Sequence, residues 1–153
     1  MMDRKQSKKT LRTEAAALIE ACAGGNSRLA ARRITQFLDR EMAEFDLKVA
    51  QLGLMAQIAA ASDDTLGALA RRMGLDQSTL SRNLRALEGE GLVEIATVES
   101  DLRRRMVWLT DAGARRLEAA IPIWRDAHAK LAKLLPPELA RRLADGTEAL
   151  VSD

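Results

Sequence analysis

The sequence predicts a mainly α-helical fold that carries one small β-hairpin. Three observations lead to this prediction. Apolar residues recur at helical spacing along most of the 153 residues. Only nine glycines and three prolines interrupt that pattern. Between Gly91 and Leu109 the period changes to two, which is typical of strands. With 47% hydrophobic residues, the chain is large enough to bury a core.

The chain is predicted to begin with a basic tail and two helices. Residues 1–13 hold five basic side chains and one acidic one, so we expect a flexible tail that stays disordered until something binds it. A helix is expected over Leu11–Ala23, with Gly24-Gly25 ending it. The next helix begins at Asn26 or the serine after it, either of which can cap it, and runs to about Phe45.

A charge-poor helix follows and leads into a shorter one. Over Leu52–Ala59 the helix is apolar nearly all round, so it should lie in the core. Residues 62–64, Ser-Asp-Asp, end this helix and offer cap oxygens to a short helix over Leu66–Met73.

Two short helices joined by a glycine-containing turn are predicted at the centre of the chain. Gly74 stands where a left-handed residue commonly closes a helix. Asp76 is placed to cap the second helix, and Gly91 ends it. This arrangement is a helix-turn-helix.

The second of these helices has two contrasting faces. Its core face is formed by Leu80, Leu84 and Leu87. At 100° per residue, Ser78, Arg82 and Arg85 point away from the leucines, with Thr79 at the margin. A merely solvated face would favour paired Glu and Lys, whereas hydroxyls and unpaired arginines suit phosphates and base edges.

A β-hairpin is predicted after this helix. Its strands lie on either side of the polar segment 99–101. The returning strand carries Arg103, Arg104 and Arg105, and alternation puts the first and third of these on one side and Arg104 on the other. A hairpin after a helix-turn-helix is a wing. The arginines there suit phosphates or the minor groove, and the alternative is a solvated loop.

Two helices are predicted at the C-terminal end. Thr110 caps the first, which contains Pro122 and should bend or leave a carbonyl free there. Its apolar residues form a heptad-like seam that should pack on another helix, and a second chain could supply that helix. The seam consists of Leu117, Ile121, Trp124, His128, Leu131 and Leu135. Pro136-Pro137 starts the last helix.

The composition excludes several classes of protein. One Cys and one His are too few for a structural zinc site, and one Cys excludes an intrachain disulfide. No phosphate-binding glycine motif occurs, and no apolar run reaches the length of a membrane span. We therefore expect a cytoplasmic protein with no cofactor, no metal and no catalytic residues. The net charge of +2 does not by itself favour nucleic acid.

Several motifs together resemble the MarR family of winged-helix transcriptional regulators. They are Leu69-Ala70, Gly74, Ser78-Thr79, Ser81-Arg82, Leu84, Leu87-Glu88, Gly91-Leu92-Val93, Asp101-x-Arg103 and Leu109-Thr110-x-Ala112-Gly113. The resemblance extends from about Asn26 to Val151.

This resemblance implies a homodimer in which each chain carries a winged helix-turn-helix lobe and a helical dimerisation region. The expected parts are a basic flexible tail at 1–13, N-terminal dimerisation helices at 14–46, the DNA-binding lobe at 47–109 and C-terminal dimerisation helices at 110–153. Asp46 departs from the family's usual Thr or Ser before the lobe, so the cap of that helix is expected to fall to Asp46.

The function that this resemblance implies is regulation of transcription, more often by repression, through a pseudo-palindromic double-stranded operator. The second helix would enter the major groove, and Arg103, steadied by Asp101, would reach the minor groove. The residues predicted to bind DNA are Gln77, Ser78, Thr79, Ser81, Arg82, Arg85, Asp101, Arg103, Arg104 and Arg105.

Two alternatives for function stay open at this point. The winged domain of a helical dimer can bind a protein partner instead of DNA, although an acidic or apolar surface would suit that role better. Some relatives sense peroxide through a cysteine, but Cys22 lies before the region where such cysteines occur, and an inert thiol is the default interpretation.

An effector site is the least defined expectation. Many relatives release DNA when a small aromatic or phenolic molecule binds. Phe37, Trp124 and His128 offer aromatic walls and one polar group for such a ligand, although at helical spacing the same residues also suit a core or dimer seam. The chain has no Tyr, so a common ligand-anchoring hydroxyl is missing.

Overall fold

The computed structural model describes residues 4–61 and 65–151, and only the backbone of residues 4–7, 98, 102 and 103. The described part is mainly helical with one antiparallel hairpin. Its elements are α1 (Arg4–Ala21), α2 (Ala23–Glu41), α3 (Val49–Ala60), α4 (Leu66–Met73), α5 (Gln77–Gly89), β1 (Val93–Val98), β2 (Asp101–Leu109), α6 (Asp111–Ala132) and α7 (Pro137–Thr147). Short 3₁₀ turns occupy Ala43–Phe45 and Glu148–Leu150. The predicted fold class is confirmed.

The chain divides into two units, the first ending at Phe37 and the second beginning at Leu38. In the first unit, α1 starts at Arg4, so the prediction of a flexible tail over residues 1–13 is wrong for residues 4–13. The lysines, arginines and glutamine in this stretch are good helix formers, and no glycine or proline interrupts them.

The break between the first two helices lies at Cys22, not at the predicted glycine pair. Gly24 and Gly25 form the first turn of α2, where backbone amides have no helical partner and glycine is tolerated. The Cys22 sulfur accepts a hydrogen bond from the Gly25 amide, and the Asn26 side chain donates to the Glu20 carbonyl instead of capping α2.

The connection between α2 and α3 also differs from the prediction. Helix α2 ends at Glu41, and Asp46 adopts a left-handed conformation with φ of 52° instead of capping α3. The Asp39 carboxylate accepts from the Val49 amide at 2.8 Å, and the Gln51 side chain accepts from the Lys48 amide at 3.1 Å. The amides of the first α3 residue and of the residue before it therefore find acceptors ten and three residues away along the chain.

The core of the second unit lies where α3, α4, α5 and α6 meet the hairpin. It is filled by Leu52, Leu54, Met55, Ile58, Leu69, Leu80, Leu84, Leu87, Val93, Val107 and Ala120. Strands β1 and β2 pair with Val93 opposite Leu109, and the register shifts between Thr97 and Val98. The three leucines of α5 are at most 1% exposed, which confirms the predicted core face of this helix.

Helix α6 packs on α3 with only part of its apolar seam. Leu117 is buried, whereas Ile121 and Trp124 are 36% and 38% exposed. Helix α6 ends at Ala132, so Leu135 lies beyond it, and no residue of α7 is buried. Among the helices of the described residues, none is both long and apolar enough to cross a membrane.

Candidate nucleic-acid interface

Helix α5 is held in place by caps and a glycine turn. Thr65, not the predicted residues 62–64, which lie outside the described residues, caps α4 by accepting from the Ala68 amide at 3.3 Å. Gly74 ends α4 at φ of 61°, a conformation that glycine adopts without a steric penalty. Asp76 then caps α5, as predicted. The turn and caps fix the angle at which α5 leaves α4, while its leucines anchor it to the core.

The outer face of α5 carries the predicted polar side chains. Gln77, Ser78, Arg82 and Arg85 are exposed, and Ser81 is half-buried. Of these, Ser78, Arg82 and Arg85 form a row on the side of the helix opposite its leucines, whereas Gln77 and Ser81 face the cleft beside Leu80. The guanidinium groups among them can donate hydrogen bonds to phosphates and to acceptors on base edges.

The Asp76 carboxylate accepts hydrogen bonds from both hydroxyls in the first turn of α5. It accepts from the Ser78 hydroxyl at 2.6 Å, from the Thr79 amide at 2.8 Å and from the Thr79 hydroxyl at 2.9 Å. The hydrogen bond from the Ser78 hydroxyl, followed by those from Thr79, lowers the pKa of Asp76 well below its ordinary value. Asp76 is therefore ionised throughout the physiological pH range.

A polar cleft lies between α4, α5 and the returning strand of the hairpin. Its volume is about 500 Å³. The lining side chains include Gln77, Ser81, Asp101, Arg104 and Arg105, all predicted to bind DNA. Both Arg104 and Arg105 border this cleft, although alternation predicts opposite sides. The pairing passes from Thr97–Arg105 to Val98–Asp101, so β2 carries extra residues at this point and its regular pleat is disturbed.

The arginines that line the cleft share it with one acidic residue, Asp101. Among the described side chains, which are those of residues 8–61 and 65–151 without 98, 102 and 103, the ion pairs are Lys130–Glu41 and Arg141–Asp145. The guanidinium groups of Arg82, Arg85, Arg104 and Arg105 consequently lack a carboxylate partner in that part of the chain. Unpaired arginines on an exposed surface retain their full charge for an anionic ligand such as the nucleic-acid backbone.

Sequence reasoning missed one arginine and part of the role of one acid. Arg71, on α4, lines the same cleft, and its position beside Gly67 on the exposed side of the helix was the available signal. Asp76 was predicted as a cap only. The Arg103 side chain lies outside the described residues, so its predicted role stays a prediction. Among the described residues, no group of three His, Cys, Asp or Glu could hold a metal ion.

Two of the predicted effector residues, Trp124 and His128, lie in contact with each other. The rings of Trp124 and His128 stack with centroids 3.9 Å apart, and the His128 Nδ1–H donates to the Trp124 carbonyl at 2.9 Å. Phe37 is half-buried near the end of the first unit. Trp124 also borders an apolar groove of about 570 Å³ between α3 and α6, whose wall includes Arg125.

Comparisons with known proteins identify relatives of this chain. A model of the MarR family matches residues 45–104. The transcriptional regulator HosA of Escherichia coli is 38% identical over 78 residues, which are 51% of this chain and 58% of HosA. The chain thus matches little more than half the length of this curated relative.

Two solved structures extend the comparison over most of the chain. The transcriptional regulator MosR of M. tuberculosis, solved in complex with DNA, is 31% identical with a TM-score of 0.75 and covers 84% of this chain and 96% of its own. The apo form of E. coli MarR has 23% identity and a TM-score of 0.63 over 86% of this chain and 98% of its own, a likeness of fold. From the family-model match and the similarity to nearly all of MosR, it follows that the chain belongs to the MarR family.

Proposed function

We propose that this protein is a dimeric transcriptional regulator that binds a specific double-stranded DNA sequence and represses transcription until a small effector releases it. The observation that carries the proposal is the set of exposed arginines on the two elements that border the cleft, Arg82 and Arg85 on α5 and Arg104 and Arg105 on the hairpin. The relative MosR, whose structure was solved in complex with DNA, supports DNA as the ligand. A DNA-binding regulator of this kind acts in the cytoplasm of a bacterium.

The surface offers separate groups for affinity and for specificity. Arginines on the hairpin and on α5 can neutralise phosphates, which supplies the sequence-independent part of affinity. Gln77, Ser78 and Ser81 at the start of α5 can reach base edges when the helix lies in the major groove. Two such helices about 34 Å apart would read successive major grooves of a pseudo-palindrome.

The experiment that tests this proposal is selection of bound duplexes from a random pool, followed by titration at several salt concentrations. We expect an enriched pseudo-palindrome and an affinity that falls by orders of magnitude between about 50 and 200 mM salt. Binding that is absent, or independent of both sequence and salt, would contradict the proposal. It would favour the alternative of a winged domain that binds a protein partner.

Apolar surface on terminal helices supports the proposed dimer. In α1, Leu11, Leu18 and Ile19 are 69%, 68% and 70% exposed. Near the other end, Leu139 and Leu143 of α7 are about half exposed, and the rest of that helix is unburied as well. Apolar side chains at helical spacing gain free energy when a second chain covers them. Sedimentation equilibrium should give twice the chain mass of 16.8 kDa. A monomer at micromolar concentration would contradict the dimer.

The groove between α3 and α6 supports an aromatic effector. Its floor is formed by small residues of α3 such as Gly53 and Ala56, and Trp124 and Arg125 supply an aromatic ring and a cation. An apolar slot with one cationic group suits a small aromatic acid. Of the residues predicted for the effector, Trp124 borders this groove, and His128 and Phe37 remain candidates.

Fluorescence can test the effector directly. The chain has two tryptophans, so Trp108→Phe leaves Trp124 as the reporter. Titration with benzoate should change its emission and release bound DNA, and Arg125→Gln should weaken the response to benzoate more than the response to phenol. Unchanged emission and DNA affinity at millimolar concentrations of both compounds would contradict an aromatic effector in this groove.

A further inference from the structure

The first turn of α5 contains two hydroxyl groups whose protons share one acceptor. The Ser78 hydroxyl donates to one oxygen of the Asp76 carboxylate and the Thr79 hydroxyl donates to the other. A hydroxyl carries a single proton and two lone pairs, and an ionised carboxylate can only accept. The direction of both hydrogen bonds is therefore determined, and each hydroxyl is left with lone pairs alone for any further partner.

We propose that Asp76 sets the hydrogen-bond polarity of Ser78 and Thr79, so that the first turn of α5 reads amino groups on base edges. In the major groove these donors are N6 of adenine and N4 of cytosine. A serine or threonine without such a partner can turn its proton toward phosphates or base acceptors as readily as its lone pairs toward donors. The inference rests on the DNA-binding function proposed above and adds the chemistry by which one part of that surface selects bases.

The surroundings of Asp76 also oppose a phosphate at this position. The N-terminus of a helix commonly binds phosphate through its free amides and the positive end of its dipole. Here the carboxylate already accepts from the Thr79 amide, and its negative charge would repel a phosphate. Ser78 is exposed beside it, so its lone pairs are accessible to a base edge. Asp76 is thus a positioning residue that acts through its two neighbours.

The variant Asp76→Asn separates this role from simple capping. Asparagine caps helices about as well as aspartate, so α5 should remain folded. Its amide nitrogen, however, is a donor and must point at one of the two hydroxyls. That hydroxyl then accepts, and its own proton becomes available to the DNA. The substitution thus changes one of the two hydroxyls from an acceptor to a donor toward DNA, while the helix cap is retained.

A matched control accounts for the change in charge. Asp76→Asn removes one negative charge from α5, which by itself raises affinity for every duplex. Glu88→Gln removes one negative charge from an exposed position on the same helix and leaves both hydroxyls unchanged. Comparison of the two variants therefore isolates hydrogen-bond polarity from net charge. Thermal melting of each variant by circular dichroism verifies that the fold is retained.

The test is selection from randomised duplexes with the wild type, Asp76→Asn, Glu88→Gln, and the double variant Ser78→Ala/Thr79→Val. We expect the wild type and Glu88→Gln to prefer the same bases. The double variant should lose that preference at one or two positions of each half-site, and Asp76→Asn should change the preferred base at those positions. Identical preferences for Asp76→Asn and Glu88→Gln would overturn the inference.

Modified bases provide a second measurement of the same contact. At the affected position, adenine is replaced by purine, or cytosine by pyrimidin-2-one, so that only the amino group is removed. The wild type should lose about three- to tenfold in affinity, as expected for one hydrogen bond, and the double variant should lose none. Equal binding of both duplexes by the wild type would overturn the inference.

These outcomes distinguish the inference from the proposed function on which it rests. If the wild type selects a sequence that the double variant selects equally well, DNA binding stands and the role of Asp76 fails. If the wild type selects no sequence at any salt concentration, specific DNA binding fails and the role of Asp76 fails with it.

Discussion

The hydroxyl of Thr110 donates a hydrogen bond to the carbonyl oxygen of Gly91 at 2.7 Å, and so links the start of α6 to the end of the α5 segment. The Thr110 hydroxyl oxygen also accepts from the Gly113 amide at 3.0 Å and so caps α6. The Thr110 amide in turn donates to the Leu92 carbonyl at 3.1 Å. Thr110 therefore connects the segment after α5 to α6, the helix that follows the hairpin.

Gly113 shows how closely these two segments approach, and its replacement by alanine should destabilise the fold. A Cβ atom at this position would overlap the carbonyl oxygen of Leu92. The backbone would have to move, at a cost of about 3 kcal/mol in the free energy of unfolding. Chemical denaturation of Gly113→Ala measures this loss.

Gly53→Ala is the matched control for Gly113→Ala. Gly53 also lies in a helix, but nothing stands within 4 Å of the position that its Cβ would take. Because alanine favours helix over glycine, this variant should be as stable as the wild type or more stable by up to about 1 kcal/mol. Equal unfolding free energies for the two variants would contradict the proposed close approach at Gly113.

Arg116 should stabilise the turn that precedes α3 in a way that lysine cannot replace. Its Nη2 donates to the carbonyls of Phe45 and Asp46 at 2.7 and 3.2 Å, and its guanidinium carbon lies 4.5 Å from the centre of the Phe45 ring. A lysine ammonium lacks the planar group that makes both contacts. We expect Arg116→Lys to lose about 1–2 kcal/mol in unfolding free energy. Arg115→Lys, at the exposed neighbouring position, should stay within about 0.5 kcal/mol of the wild type.

The helix-turn-helix could be predicted from the sequence because its determinants are local. The leucines of α5, the cap at Asp76 and the left-handed Gly74 all act within a few residues of the structure they define. The start of α3 depends instead on Asp39, ten residues away, and the turn before it on Arg116, some seventy residues away. Such partners cannot be identified from the spacing of residues along the chain.

The candidate site shows the same division between local and distant determinants. The exposed hydroxyls and arginines of α5 follow from helical periodicity. The inclusion of Arg71 in the cleft with Arg104 and Arg105 depends on how α4 packs against β2, which no local pattern specifies. The Gly24-Gly25 pair misled the prediction because the cost of glycine in a helix depends on whether it occupies the first turn or the interior.

The acid sensitivity of the helix cap at Asp76 should distinguish the wild type from Asp76→Asn. Hydrogen bonds from Ser78 and Thr79 lower the pKa of this carboxyl in the folded protein relative to the unfolded chain. The stabilisation is therefore present above the unfolded pKa and is lost as the pH falls below it. The difference in Tm between the wild type and Asp76→Asn should shift in favour of the variant between about pH 5 and pH 2. A pH-independent difference would contradict this linkage.

The two described wing arginines should contribute to DNA affinity regardless of sequence. Arg104→Ala and Arg105→Ala should each weaken binding to the selected operator and to unrelated duplexes by similar factors, because phosphate contacts carry little sequence information. Each lost phosphate contact should lower the slope of log Kd against log salt by about 0.9. Arg115→Ala, which removes an arginine from an exposed position on α6, is the control and should change neither quantity.

Arg85→Ala tests in the same way how an arginine of α5 contributes to DNA binding. Its side chain is exposed on α5, on the face opposite Leu84 and Leu87. If it contacts a base, the variant should lose discrimination at one position of each half-site by about 1–3 kcal/mol, with a smaller loss on unrelated duplexes. Equal losses on all duplexes would instead assign Arg85 to the phosphate backbone.

The basic start of the chain should add affinity for DNA without adding specificity. Residues 1–13 hold five basic side chains and one acidic one, and the structure places Lys8, Lys9 and Arg12 on exposed positions of α1. Because these three residues lie within α1, their replacement by glutamine removes charge while it preserves helix propensity. We expect the triple variant to bind all duplexes more weakly and to show a shallower salt dependence, with the same selected sequence as the wild type. Replacement of three exposed arginines of α6 and α7, Arg115, Arg141 and Arg142, by glutamine controls for the same loss of three positive charges. If the triple variant and this control show the same affinity and salt slope, the basic segment does not contact DNA.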